Sequence, residues 1–140
     1  MQRIKGSIGY VEFAYAKKNK MAYTQLKNKE GQFVQPEESS FKVAAAGADW
    51  AKTPGFAVVS TEQPGKASWP VTGATFVLMR KTQADAVKGK EVLKFIDWAY
   101  KNGAAMATEL DYIPMPAAVV TLIENAWKTQ MKDASAKAIW

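Results

Sequence analysis

The 140-residue chain contains neither cysteine nor histidine. Without cysteine it has no disulfide, no thiolate nucleophile and no thiolate metal ligand. Most general acid–base catalysis and most zinc sites use histidine, so its absence argues against both. Carboxylates, lysine and tyrosine are the groups left for chemistry. We therefore expect a protein that is not an enzyme and that has no cofactor or metal.

Long apolar runs are also absent, since no stretch approaches the ~20 residues that a membrane-spanning helix needs. The first seven residues carry charge, but the apolar core of a secretory signal peptide does not follow them. We therefore expect no signal peptide in this chain. It is interpreted as either a cytosolic protein or a mature or engineered piece.

Arginine is rare: Arg3 and Arg80 are the only two among 19 basic residues, and the chain has 13 acidic residues. The net charge of +6 comes mostly from lysines that are dispersed along the chain. Nucleic-acid readers cluster arginine and lysine on one element. The dispersed pattern indicates a solvated basic surface, and we expect no nucleic-acid partner.

Short apolar segments and helical periodicities alternate along the chain, which favours an α/β fold. Residues 6–11 predict a short buried strand between glycines. Residues 74–79 predict a central strand, because nearly all of them are apolar, as in a strand covered on both faces. Residues 22–26 and 32–34 predict a hairpin across the turn at 28–31.

Helices are predicted at 12–20, from Pro36 to Gly47, at 89–102 with Gly103 just beyond, and from Pro116 onward. Apolar side chains at helical spacing mark the core faces of the two long helices: Val92, Leu93, Ile96, Ala99 and Tyr100 on the first, and Val119, Val120, Ile123, Ala126 and Trp127 on the second.

The strand at 74–79 needs neighbours on both edges and cover on both faces. The rest of the chain offers too few strands for this. The sequence therefore predicts an incomplete fold, in which a missing portion or a partner chain supplies the remaining elements.

Candidate chemical groups are few. Asp97, Glu109 and Asp111 are candidates for a carboxylate pair, but surface charges and caps explain them better without a predicted pocket.

Residues 72–75 (Thr-Gly-Ala-Thr) suit an anion, yet a strand is predicted to follow them and both phosphate-binding glycine motifs are absent. Core packing is expected to explain most of the large aromatic residues: Tyr10, Tyr15, Trp50, Trp69, Trp98, Tyr100 and Trp127.

Several segments, taken together and in order, resemble the phosphate-binding protein of the bacterial ABC phosphate transporter. The first is Gly-Ser-Ile-Gly-Tyr-Val-Glu-Phe-Ala-Tyr-Ala at 6–16. The others lie at residues 46–50, 69–72, 75–78, 91–101, 110–112 and 126–128. Residues 54–66, with an additional proline and glycine, depart from the family pattern.

The resemblance implies an α/β, type II periplasmic-binding-protein-like fold, in which a hinge joins two lobes and the anion lies between them. It implies that this chain is the C-terminal portion only, an incomplete fold with remnants of both lobes. Residues 1–68 would belong to the second lobe, 69–73 to the hinge crossover, and 74–140 to the first lobe. Met1 would be an initiator placed before an internal segment.

The implied function is capture of inorganic phosphate in the periplasm and its delivery to an ABC permease for import. In the family, serine and threonine hydroxyls, helix N–H groups, an arginine and an aspartate hold the phosphate. Their arginine followed by Ser-Gly-Thr does not occur in this chain. We therefore assign no phosphate-binding, catalytic or metal-binding residue here, and we expect the isolated chain to lack the phosphate ligands.

Other hypotheses stay open. The chain could be a self-associating structural fragment without a ligand, forming a homo-oligomer through uncovered strand edges at 8–11 and 75–79. It could also belong to a binder of another oxyanion such as sulfate. An enzyme or a nucleic-acid binder would rest on charge and scattered carboxylates alone.

Overall fold

A computed structural model describes residues 4–140. Within this range the helices are α1 (Phe13–Lys18), α2 (Glu38–Gly47), α3 (Ala86–Asn102), α4 (Ala104–Glu109) and α5 (Ala117–Gln130). The strands have two residues each: β1 (Leu26–Lys27), β2 (Phe33–Val34), β3 (Thr82–Gln83) and β4 (Lys132–Asp133). A 3-10 turn covers Pro54–Phe56. The described part of the chain is thus a mixed α/β structure with few strands, as predicted.

The strands form two separate pairs. β1 and β2 make the predicted antiparallel hairpin, with Leu26 opposite Val34, and Gly31 takes a φ of 79° in its turn. A residue other than glycine is disfavoured at this φ, which explains the glycine. β3 and β4 pair in parallel and hold the C-terminal segment beside the start of α3.

The two predicted strands at 6–11 and 74–79 are wrong for this chain. Residues 8–11 and 74–79 make no backbone hydrogen bond to any other part of the described chain. Their side chains project into solvent, with Ile8 96% exposed and Leu78 92% exposed. Apolar composition alone does not form a strand, because each strand needs a hydrogen-bonded neighbour. None of the described elements supplies one.

The larger core lies between α3 and α5. Leu93 is fully buried, together with Trp127, Met131 and Ile139. The ring of Trp127 stacks on Tyr100 with centroids 6.2 Å apart and meets Trp140 edge-on at 5.4 Å. The predicted long helices are confirmed, although α3 begins at Ala86 because Asp85 caps it by accepting the backbone N–H of Lys88 at 3.0 Å.

A second core combines residues from both halves of the sequence. Ala48, Trp50 and Val119 are buried together, and Ile123 of α5 packs against this cluster as well as the first one. Trp50 donates its indole N–H to the carbonyl oxygen of Ala45 at 2.7 Å. α5 therefore joins the two cores.

Some residues predicted for the core lie elsewhere. Trp98 is 49% exposed, and Val92 and Tyr10 are also exposed. Trp98 stacks on Phe95 on the face of α3 opposite the buried Leu93, so it does not reach α5. Gly103 has a φ of −86°, not the left-handed value of a helix stop, and the chain continues into α4, which the sequence pattern did not predict.

Among the helices of residues 4–140, none combines the length and the apolar character needed to cross a bilayer.

Candidate functional site

A cleft of about 430 Å³ lies between α1, α2 and the residues around the end of α4. It brings together residues that are almost 100 positions apart in sequence. Aromatic rings form one wall, where Phe13 meets Tyr23 edge-on at 5.4 Å and Phe41 at 5.5 Å. Polar side chains from α1, α2 and residues 108–113 form the rest: Lys17, Gln35, Glu37, Glu38, Thr108, Asp111 and Tyr112.

An ion pair between Lys17 and Asp111 spans the cleft. The hydrogen bond to the Asp111 carboxylate raises the pKa of Lys17 above its usual value. The backbone of Asp111 takes a left-handed φ of 61°, which residues other than glycine adopt only at some cost. Asp111 directs this carboxylate onto α1, so the pair ties α1 to the segment after α4.

A second pair lies at the edge of the cleft, where Tyr112 belongs to the lining and Glu12 directly precedes α1. Tyr112 hydrogen-bonds the carboxylate of Glu12, and this bond raises the pKa of the Tyr112 phenol above its usual value. A carboxylate beside the phenol stabilises its neutral form, because ionisation would place two negative charges together. Glu12–Tyr112 and Lys17–Asp111 thus act as two adjacent links; we call them the cleft clasp.

The charge of the cleft does not favour an anion. Glu37, Glu38 and Asp111 line it, and Lys17 is the one basic residue in its lining. Lys17 already pairs with Asp111. Glu38 likewise pairs with Lys42 at 2.5 Å, so both lysines are already committed to carboxylates. A phosphate placed here would meet the further carboxylate of Glu37, and like charges at short range repel. The cleft is therefore suited to joining parts of the chain and is unsuited to binding phosphate.

The structure does not combine the candidate carboxylates into an acid–base pair. Asp97 pairs with Lys101 on α3 at 2.7 Å, whereas Asp111 pairs with Lys17 across the cleft. Glu109 is the last residue of α4 and is exposed. Asp97 and Asp111 thus each pair with a different lysine and not with each other.

The threonines at 72–75 also do not form an anion cradle. The hydroxyl of Thr72 donates to the carbonyl oxygen of Trp69 at 3.1 Å, and no helix starts nearby among the described residues. No cluster of three metal-ligating side chains occurs in residues 4–140. That phosphate is held by residues outside this chain stays a prediction.

The sequence did not reveal two buried side chains that each make several hydrogen bonds. Asn28 is buried in the hairpin turn and donates to the carbonyl oxygens of Gly65, Lys66 and Ser68. Ser40 is buried in the first turn of α2. The turn sequence Asn-Lys-Glu-Gly predicts a bend, but nothing in it indicates contact with a loop nearly 40 residues away.

Comparison with known proteins finds relatives that match the chain along its whole length. It is 48% identical over 140 residues to "Phosphate-binding protein PstS" of Pasteurella multocida. It is also 48% identical over 133 residues to the protein of that name from Haemophilus influenzae, and over 132 residues to that from Xylella fastidiosa. No known family profile matches the chain.

These alignments cover 100%, 95% and 94% of the chain but 41%, 40% and 36% of the three relatives. The chain thus spans about two fifths of the length of the curated relatives it matches. Identity at nearly half of all positions over the full chain is far above what a shared fold alone would produce. The chain belongs to the family of the PstS phosphate-binding proteins, as the ordered sequence motifs predicted.

Proposed function

We propose that this chain is part of a periplasmic phosphate-binding protein that captures inorganic phosphate and delivers it to an ABC permease for import. The observation that carries the proposal is the 48% identity to the Pasteurella multocida protein along all 140 residues. The relatives are named as binding proteins, and the proposed role is accordingly binding without catalysis.

In this proposal the chain contributes framework. Residues 1–68 are assigned to the second lobe, 69–73 to the hinge crossover and 74–140 to the C-terminal part of the first lobe. Trp69 supports this division, because its N–H donates to the carbonyl oxygen of Ser40 and its ring contacts Phe41, which attaches it to the residues before the crossover. The α3–α5 core supports it from the other side, since all its buried members come after residue 74.

The phosphate ligands are proposed to lie outside this chain. The cleft supports this, because Lys17 and Lys42 are already paired with Asp111 and Glu38, and Glu37 adds a further carboxylate to the lining. Residues 72–75 also support ligands outside this chain, since the Thr72 hydroxyl already donates a hydrogen bond to the carbonyl oxygen of Trp69.

A chimaera tests the proposed function. The segment of the Pasteurella multocida protein that matches this chain is replaced by the 140 residues, and inorganic phosphate is titrated calorimetrically. We expect stoichiometric, micromolar or tighter binding by the chimaera and none by the isolated 140 residues. The unaltered Pasteurella protein is the control, and sulfate as a second titrant tests the alternative oxyanion.

A chimaera that folds but takes up no phosphate would contradict the proposed function. Tight, stoichiometric binding by the isolated chain would contradict the placement of the ligands elsewhere.

A further inference from the structure

Two groups of apolar side chains are exposed on the C-terminal half of the chain. The strand patch consists of Phe76, Val77 and Leu78, and the helix patch consists of Val92, Phe95 and Trp98 on α3. Soluble proteins rarely leave contiguous large apolar side chains in water, and such patches mark interaction surfaces.

The strand patch is held at both ends and open in the middle. Ala74 packs against the Ala48–Trp50–Val119 cluster, and Met79 packs against the Leu93–Trp127 cluster. Between these anchors, residues 76–78 leave their backbone N–H and C=O groups without a partner in the described chain. Backbone groups left without a partner in this way can pair with a strand that another segment supplies.

The helix patch gives α3 a second apolar face. Leu93 and Gly89 are buried toward α5 and the C-terminal segment, which uses one side of the helix. Val92, Phe95 and Trp98 recur at a spacing of three residues on another side, where Phe95 and Trp98 stack with ring centroids 6.2 Å apart. A helix that is apolar on two sides is buried on both in the assembled protein.

We propose that the strand patch and the helix patch dock the part of a phosphate-binding protein that this chain does not include, and that docking needs no covalent link. The length of the relatives supports this occupant, because about three fifths of each lies outside the match. The two cores of the chain are built from its own residues, which supports docking without a covalent link. The inference rests on the proposed function.

Co-expression tests the docking. The 140-residue chain is produced together with the unmatched part of the Pasteurella multocida protein, which carries an affinity tag, and the eluate is sized by light scattering. We expect a complex with one copy of each. The inference is overturned if the chain remains monomeric beside the folded partner, or if it pairs with a second copy of itself instead.

A matched pair of variants locates the surface. Phe95 is 67% exposed in the helix patch, and Phe33 is 68% exposed in the hairpin. We expect Phe95→Lys and Leu78→Lys to weaken the complex at least tenfold and Phe33→Lys to leave it unchanged. All three side chains are exposed, so circular dichroism should show the same fold in each. Equal weakening by Phe33→Lys would overturn the placement.

The chimaera tests the same surface with the two parts covalently linked, for the case in which the partner does not fold alone. In the chimaera, Phe95→Lys should lower the melting temperature by several degrees relative to Phe33→Lys, because the charge would be buried at the joint. Equal melting temperatures for the two variants would overturn the inference.

The two proposals fail separately. A complex that forms without binding phosphate contradicts the proposed function and leaves the docking surface in place. A chimaera that binds phosphate, combined with separate chains that do not associate, contradicts the docking inference alone.

Discussion

Asn28 shows how a single side chain can hold together segments that are distant in sequence. Its amide donates to the carbonyl oxygens of Gly65, Lys66 and Ser68 at 3.3, 3.0 and 3.1 Å. Its Oδ1 accepts the backbone N–H groups of Glu30 and Gln32 at 3.1 and 3.0 Å. The hairpin turn and the loop at 65–68 therefore share one buried polar anchor.

Replacing Asn28 with alanine should reduce the free energy of unfolding by about 2–4 kcal/mol, because several buried donors and acceptors lose their partner at once. Asn102→Ala is the matched control, since Asn102 is exposed and makes one bond to the carbonyl of Trp98. We expect it to change stability by about 0.5 kcal/mol or less. Urea denaturation measures both, and equal effects would contradict the role of Asn28.

The cleft clasp makes a prediction about proton binding. The Glu12 carboxylate accepts a hydrogen bond from Tyr112 and raises the pKa of that phenol above its usual 10.0. A pKa that is higher in the folded than in the unfolded state stabilises the fold below the unfolded value of about 10. This contribution disappears as the pH rises through the folded-state pKa.

Glu12→Ala should therefore lower the pKa of Tyr112 toward its usual value. Nuclear magnetic resonance of tyrosine labelled at Cζ follows this titration residue by residue. Glu30→Ala provides the control, because Glu30 is exposed, lies in the hairpin turn and is not among the groups that shift the pKa of Tyr112. An unchanged Tyr112 titration in Glu12→Ala would argue against the second link of the clasp.

At the scale of elements, helices and strands differ in how far they depend on distant residues. α3 and α5 close their own backbone hydrogen bonds, so their apolar periodicity was sufficient to predict them. The segments at 6–11 and 74–79 have the composition of strands, but their hydrogen bonds must come from other elements. Those partners are absent from the described chain, and the segments remain unpaired.

The start of α2 offers a test of local capping. Ser40 accepts the backbone N–H of Glu37 at 3.1 Å, while Glu37 caps the N–H of Ser40 in return. The Ser40 hydroxyl also donates to the carbonyl oxygen of Gln35 at 2.7 Å.

Ser40→Ala should cost about 1–2 kcal/mol of stability, because it breaks this reciprocal cap in a buried position. Ser39→Ala changes the same residue type one position earlier, where the side chain is exposed and makes a single hydrogen bond, to the Glu37 carboxylate at 2.7 Å. We expect that control to cost about 0.5 kcal/mol or less. Thermal unfolding of the two variants measures the difference, and similar losses would mean that the cap contributes little.

At the scale of the whole molecule, α5 decides whether the chain behaves as one unit. Val119 lies in one core, Trp127 lies in the other, and Ile123 packs against both. The two cores should therefore unfold together.

Ile123→Ala should lower the free energy of unfolding by about 2 kcal/mol and weaken both cores, because the lost side chain contacts each. Native-state hydrogen exchange should show reduced protection around Trp50 and around Trp127 at the same time. Leu122→Ala, one position away on the more exposed side of α5, is the control. Loss of protection in one core alone would show that α5 does not couple them.

The family and the main helices followed from the sequence. The ordered motifs identified the phosphate-binding proteins, and comparison at 48% identity confirmed them. Capping residues and apolar stripes located α3 and α5 to within a few residues. These features are local, since they depend on neighbours within one or two turns of the chain.

Contacts between distant residues were decided by the tertiary structure. The pairing of Lys17 with Asp111 joins residues 94 positions apart, and the anchoring of Asn28 spans nearly 40 positions. Periodicity assigned Val92 to the core face of α3, whereas the structure exposes it together with Phe95 and Trp98. A helix with two apolar sides shows both in its pattern, so periodicity does not tell which side is covered. The sequence by itself determined the two long helices α3 and α5 and the family to which the chain belongs. Only the tertiary structure decided which apolar faces are covered, because burial depends on the elements that pack against them.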